Sequence, residues 1–175
     1  MSNRKPPLLA FIAEHSNTGK TTLLEKILPL LASKGIRCAV IKHTHHDFET
    51  DKPGKDSYRL HQAGSQQTML VSPKRLSLVM ETPDNDELPD IKSLTERLNT
   101  DHLDLILAEG FRHESIPKIE VFRSGVSKNL LCEHDKNIIA VCSDVKPDLP
   151  EKIKLLDINK PQEVVDFILE TVTGS

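Results

Sequence analysis

Leu8-Leu9-Ala10-Phe11-Ile12-Ala13 runs through a short polar loop, Glu14 to Thr18, into Gly19-Lys20-Thr21-Thr22, with Leu24, Ile27, Leu28 and Leu31 at helical spacing beyond it. An apolar run of that length without alternation predicts a strand covered on both faces. The spaced leucines and isoleucine predict an amphipathic helix. Strand, loop, Gly-Lys-Thr and helix, in that order, form the context in which a backbone loop cradles phosphate. Loop and helix-start N–H groups converge on phosphate oxygens, and Gly19 lets the backbone approach closely. Lys20 supplies a point charge for the terminal phosphates, and the Thr21 hydroxyl is a Mg²⁺ ligand of the right hardness. The expected phosphate-binding set is Ser16, Asn17, Thr18, Gly19, Lys20, Thr21 and Thr22. The full pattern has glycine at its first position, where this chain has Glu14. A carboxylate there repels a triphosphate unless it points away.

Composition narrows the partners. Net charge is -3 with 28% charged residues, so no basic footprint for nucleic acid is present, and 3% aromatic residues leave few stacking platforms. No apolar run approaches membrane-spanning length. Three cysteines without a C-x-x-C pair suit a reducing cytoplasm, with Cys38 and Cys142 expected as small buried hydrophobes. The expectation is a cytoplasmic protein of one nucleotide-binding domain over 1–175, residues 1–7 forming a loose tail.

Further strands are expected at 37–42, 67–71, 75–81, 103–108, 118–122, 137–142 and 153–157, and helices at 55–63, 91–98 and from Pro161. The stretches 67–71 and 75–81 are joined by so short a link that they should be antiparallel neighbours. Strands alternating with helices predict an α/β fold: a mainly parallel sheet with some antiparallel strands and helices on both faces. Ligands of such sheets sit at the carboxyl ends of strands.

That rule selects the loops to inspect. Glu109, ending one strand, is the expected Mg²⁺ partner of Thr21. Asp104 lies at the start of the same strand, and five residues span about 16 Å, so both cannot reach one ion. Lys42-His43-Thr44-His45-His46-Asp47 follows the second strand; Lys42, His43 and His46 are candidates to face substrate or partner, and Asp47 is a candidate to orient an attacking water. The same histidines also admit a transition-metal reading. Lys55 and Arg59 share a helix face and suit phosphate or carboxylate. Asp144, after a late strand, can accept both hydrogens of the guanine edge; it is equally a turn-forming residue before Lys146-Pro147.

Ser16 to Thr22, Lys42-His43-Thr44-His45-His46, Asp51-Lys52-Pro53-Gly54-Lys55-Asp56-Ser57-Tyr58-Arg59 and Leu105-Ile106-Leu107-Ala108-Glu109-Gly110-Phe111 occur in one order. Over nearly its whole length the chain resembles the MobB family of molybdopterin-guanine dinucleotide biosynthesis adapter proteins. The resemblance implies a P-loop fold of the class that includes metallochaperone and signal-recognition GTPases. It implies GTP and Mg²⁺ as ligands with at most slow hydrolysis, and a homodimer. It also implies assistance to the nucleotidyltransferase MobA, with molybdopterin a candidate ligand. Two other readings compete: a P-loop kinase for a small substrate, and a metal-delivery GTPase using His43, His45 and His46. A kinase should carry an arginine-bearing lid, and the segment around Lys128 has no arginine beyond Arg123.

Overall fold

The computed structural model describes residues 5–44, 54–82 and 89–174. In chain order its elements are β1 (Leu8–Ile12), α1 (Lys20–Ser33), β2 (Cys38–Lys42), α2 (Asp56–Gln62), β3 (Gln67–Ser72), β4 (Arg75–Met80), α3 (Ile91–Glu96), β5 (Leu105–Glu109), β6 (Lys118–Phe122), β7 (Ile138–Ser143), β8 (Lys154–Asp157) and α4 (Pro161–Ile168). They group into two compact units, residues 1–43 with 90–175, and residues 44–89.

In the first unit six described strands form a parallel sheet in the order β2-β5-β1-β6-β7-β8. Strand alternation sorts the side chains. Leu9 and Phe11 of β1, with Leu105 and Leu107 of β5, face α1 and α4, which cover them with Leu24, Ile27, Leu31, Val164 and Ile168. Ala10 and Ile12 face the other side, where Ile91 at the start of α3, Leu131 and Ile153 pack. Each fully buried Leu or Ile contributes roughly 1.5–3 kcal/mol. Helix α1 continues through Pro29. Register shifts once, where Lys118 pairs with Ile138 but Ile119 with Ala140, so Ile139 is the extra residue of a bulge.

Strand β6 is buried along its whole length although it reads Lys-Ile-Glu-Val-Phe. Both of its charges are answered. Lys118 Nζ donates to Asp135 at 2.6 Å. Glu120 accepts from the backbone N–H groups of Leu131 and Cys132, each at 2.9 Å. Burial raises the Glu120 pKa, against the pull of those two N–H groups. Among the described residues no buried side-chain polar atom lacks a partner.

The second unit holds α2 and the antiparallel β3–β4 pair, joined through Pro73-Lys74 as the short link required. Directly opposite pairs put Met69 with Leu78 and Val71 with Leu76 on one face. These four are 55%, 43%, 73% and 60% exposed, so one face of the hairpin is an uncovered apolar surface.

Cys142 is buried as expected, and Cys132 as well, but Cys38 is only half-buried. It begins β2, which among the described strands has a sheet neighbour on one side only. Burial pushes the Cys38 and Cys132 thiols up to about 11 and Cys142 to about 12, so none is a ready nucleophile.

Candidate functional site

Chain order leaves β1 between β5 on one side and β6 on the other. This is the point where a doubly wound sheet opens a crevice at its carboxyl edge. The loop from β1 to α1 lies there. It turns through Asn17 at φ 60° and Gly19 at φ 98°, both left-handed. Thr18 is fully buried, its hydroxyl donating to the His15 carbonyl at 2.6 Å. Ser16, Asn17 and Thr22 are exposed. Gly19 caps α1 with no side chain, and no acidic residue occupies the first turn. The helix-start N–H groups therefore meet no carboxylate of their own helix, which suits an anion. Lys20 Nζ reaches back to the His15 carbonyl at 3.3 Å. Burial lowers the Lys20 pKa, Glu109 raises it, and Lys42 lowers it again.

Register explains the next contact. Glu109 is the cross-strand partner of Phe11 on one side and Lys42 on the other. Thr21 Oγ1 donates to Glu109 Oε1 at 2.7 Å, so the two proposed Mg²⁺ ligands meet. Lys42 Nζ lies 3.1 Å from Thr21 Oγ1 and 3.3 Å from Glu109 Oε2. An ammonium thus stands where a cation is wanted, between a hydroxyl and a carboxylate that is only 10% exposed. Hard oxygen donors flanking a resident positive charge fit Mg²⁺. Asp104 is committed elsewhere. Arg37 grips it through Nε at 2.8 Å and Nη2 at 2.9 Å, and those bonds hold its pKa down to about 2.

Beyond Glu109 the backbone is constrained. Gly110 has φ 94° and Phe111, not a glycine, has φ 60°. A Cβ on Gly110 would lie 3.1 Å from His43 Cβ. His43 N donates to the Glu109 carbonyl at 3.0 Å, and its ring packs at 5.6 Å from that of Phe111. Left-handed non-glycine residues concentrate at working sites.

Asp144 follows β7, exposed, with Oδ1 accepting from the Ser124 N–H at 3.1 Å. Lys55 and Arg59 belong to the second unit, where Lys55 caps α2 and Arg59 is 3.7 Å from Asp56. His45, His46 and Asp47 lie outside the described residues. Among the described residues no group of three His, Cys, Asp or Glu side chains converges as a metal site, and no helix is long and apolar enough to cross a membrane.

Two contacts escaped the sequence reading. The Glu14 carboxylate, 12% exposed, accepts from Lys128 N at 2.6 Å, Asn129 N at 3.0 Å and Asn129 Nδ2 at 2.6 Å. Those bonds, the Lys128 N–H first, hold its pKa down to about 2. The charge expected to repel phosphate is spent on a distant turn. The second is Arg123, whose Nε is 3.7 Å from where a Cβ on Gly19 would be. No local motif marks either contact, since each partner lies more than a hundred residues away in the chain.

Comparison with known proteins agrees with this architecture. The family model "Molybdopterin guanine dinucleotide synthesis protein B" matches residues 8–144. The chain is 52% identical over 167 residues to the molybdopterin-guanine dinucleotide biosynthesis adapter protein of Escherichia coli K12, covering 94% of this chain and 92% of that protein. It is 42% identical to the Haemophilus influenzae adapter protein of the same name, covering 95% and 89%. A crystal structure of Bacillus subtilis MobB superposes with TM-score 0.72 at 25% identity, covering 97% and 99%. A crystal structure of molybdopterin-guanine biosynthesis protein B gives a TM-score of 0.69 at 25% identity, covering 93% and 98%. A six-stranded parallel sheet, an antiparallel pair and a Gly-Lys-Thr loop at the sheet's carboxyl edge are therefore the marks of a chain that belongs to the MobB family.

Proposed function

We propose that this protein, a molybdopterin-guanine dinucleotide biosynthesis adapter by its family, works by binding GTP with Mg²⁺ at the Gly19–Thr22 loop. The observation that carries the reading is the Thr21–Glu109 pair with the Lys42 ammonium against both partners, beside Lys20. Thr21 and Glu109 would hold Mg²⁺, which when bound neutralises charge between the outer phosphates. Lys20 and the loop N–H groups bind the phosphates. Asp144 offers a carboxylate to the guanine edge. Asp47 is the candidate for orienting water in a slow hydrolysis. Lys42, His43, His46, Lys55 and Arg59 are the candidates to face a substrate or partner.

The partner enzyme in this reading is a MobA-type nucleotidyltransferase, and the working form is a homodimer in the cytoplasm. The exposed apolar side chains Met69, Val71, Leu76 and Leu78 on one face of the hairpin support an assembly, because contiguous exposed apolar patches mark interaction surfaces. Equilibrium binding of GTP, ATP and GMP, with and without Mg²⁺, tests the function. GTP should bind most tightly, and Lys20→Ala should weaken it by about 10- to 100-fold, as for loss of one charge-assisted contact. Equal GTP binding by the variant would refute the phosphate-loop assignment.

A further inference from the structure

Glu14 departs from the phosphate-loop pattern, and its three bonds reach Lys128 and Asn129, just beyond the turn that follows β6. That turn is built around Arg123. The Arg123 carbonyl accepts from Val126 N at 2.9 Å and Ser127 N at 2.7 Å. The Arg123 N–H donates to the Ser127 hydroxyl at 3.2 Å, and Ser127 is buried. On the other side Ser124 N is held by Asp144. The Arg123 backbone is thus fixed within its turn, while the flanking residues are tied to Asp144 through Ser124 N and to Glu14 through Lys128 and Asn129. Its exposed guanidinium lies over Gly19, with no carboxylate partner among the described residues.

Sheet order locates this cation relative to the nucleotide. Thr21 and Glu109 stand on the β5 side of β1, whereas Arg123 stands on the β6 side, between the phosphate loop and Asp144. On the GTP reading, Thr21 and Glu109 would hold Mg²⁺ to neutralise charge on the outer phosphates, which would set the triphosphate's outer end toward β5. The nucleoside end would then lie toward β6 and β7.

We propose that Arg123 is a nucleotide-binding residue that contacts the inner phosphates, those shared by GDP and GTP, and that Glu14 is a positioning residue that holds the Arg123 turn against the phosphate loop. The proposal rests on the GTP reading above and adds to it a second cation, independent of Mg²⁺. Guanidinium suits the task because its planar fork donates to two phosphate oxygens at once.

The test is equilibrium binding of GDP and GTP to the full chain, each in Mg²⁺ and in chelator. Arg123→Ala should weaken both nucleotides alike, by about 10- to 100-fold, as expected for one charge-assisted contact. The loss should persist in chelator. Arg123→Lys should recover part of it. Lys128→Ala removes an equal charge from the same turn and should stay within about twofold of wild type. Glu14→Gln should weaken GDP and GTP equally, by less than Arg123→Ala, while the melting curve of Arg123→Ala matches wild type. Three outcomes overturn the assignment while leaving the GTP reading in place. Unchanged GDP and GTP binding removes Arg123 from the site. A loss confined to GTP or to Mg²⁺ places it at the outer phosphates. An equal loss in Lys128→Ala makes the effect a general field. If wild type binds neither nucleotide, the GTP reading itself fails and the inference with it; if only Lys20→Ala loses binding, the GTP reading stands and the inference fails.

Discussion

Asp135→Ala and Lys118→Met break the same ion pair from opposite ends and should have very unequal costs. Lys118 sits in β6, the strand that leads into Arg123, with a side chain 2% exposed and Nζ 2.6 Å from Asp135, itself 23% exposed. Removing the carboxylate leaves an ammonium in the core, which typically costs about 3–5 kcal/mol. Some water can reach the vacated edge, which favours the lower end. Asp135 also accepts from Asn137 N at 2.9 Å and Nδ2 at 3.0 Å, adding about 1 kcal/mol. The expected loss is about 3–4 kcal/mol. Lys118→Met instead fills the same space with an apolar chain and leaves Asp135 its Asn137 donors and solvent, for under about 1 kcal/mol. The double variant should be more stable than Asp135→Ala alone. Urea denaturation at neutral pH reads this out. With m of roughly 2 kcal/mol/M, Asp135→Ala should lower the midpoint by about 1.5–2 M and Lys118→Met by less than about 0.5 M. Burial opposes the Asp135 carboxylate, but Lys118 and Asn137 outweigh it and hold its pKa low. Its contribution is therefore present above the unfolded carboxylate range and lost as pH falls through the depressed folded value. If Lys118→Met falls as far as Asp135→Ala, the attraction between the charges matters more than the orphaned ammonium, and the reasoning is wrong.

Glu109→Gln should weaken the Mg²⁺ dependence of nucleotide binding while Asp104→Asn leaves it intact; Mg²⁺ titration of both variants decides, and the reverse pattern would exchange their roles. Lys42→Met should raise the affinity of the nucleotide-free protein for Mn²⁺, read by electron paramagnetic resonance, because it removes the resident ammonium from Thr21 and Glu109. Asp144→Asn should lose GTP affinity and gain relative affinity for XTP in competition binding, since an amide offers one donor and one acceptor; an unchanged ratio would leave Asp144 as the brace of Ser124 alone. Glu14 and Asp104 both have pKa values depressed to about 2, so they support the fold above about pH 4.5 and lose that effect as pH falls toward 2. Acid titration of stability should be flatter in Glu14→Gln and Asp104→Asn than in wild type.

Local chemistry made much of the fold legible. Leu8–Ile12 and Leu105–Glu109 read as covered strands because they lie between neighbours on both sides, and Ser72-Pro73-Lys74 demanded the hairpin that β3 and β4 form. Glu109 could be preferred to Asp104 from strand length alone, and the Arg37 grip on Asp104 agrees. What stayed illegible depends on contacts between distant segments. Nothing near Glu14 announces Asn129, nothing near Gly19 announces Arg123, and only cross-strand register brings Lys42 to Glu109. Cys38 looked buried because its run is apolar, but a run cannot reveal that its strand ends the order of the described strands. The charges of Lys118 and Glu120 likewise hide the full burial of β6, since Asp135 and the 131–132 backbone answer them from afar.

The brace between Glu14 and the 128–129 backbone spans 114 and 115 positions of chain. On the ribosome the phosphate loop is therefore made well before the backbone that braces it. At roughly 5–20 residues per second the interval is on the order of ten seconds. Strand β1 waits through it as well, because both its neighbours, β5 and β6, come from the second half of the chain. A nascent chain that already carries Gly19-Lys20-Thr21 therefore still lacks both strands that flank β1 and the backbone that braces Glu14. On the GTP reading proposed above, a chain cut short before residue 129 would lack the contacts that hold the Arg123 segment against the phosphate loop.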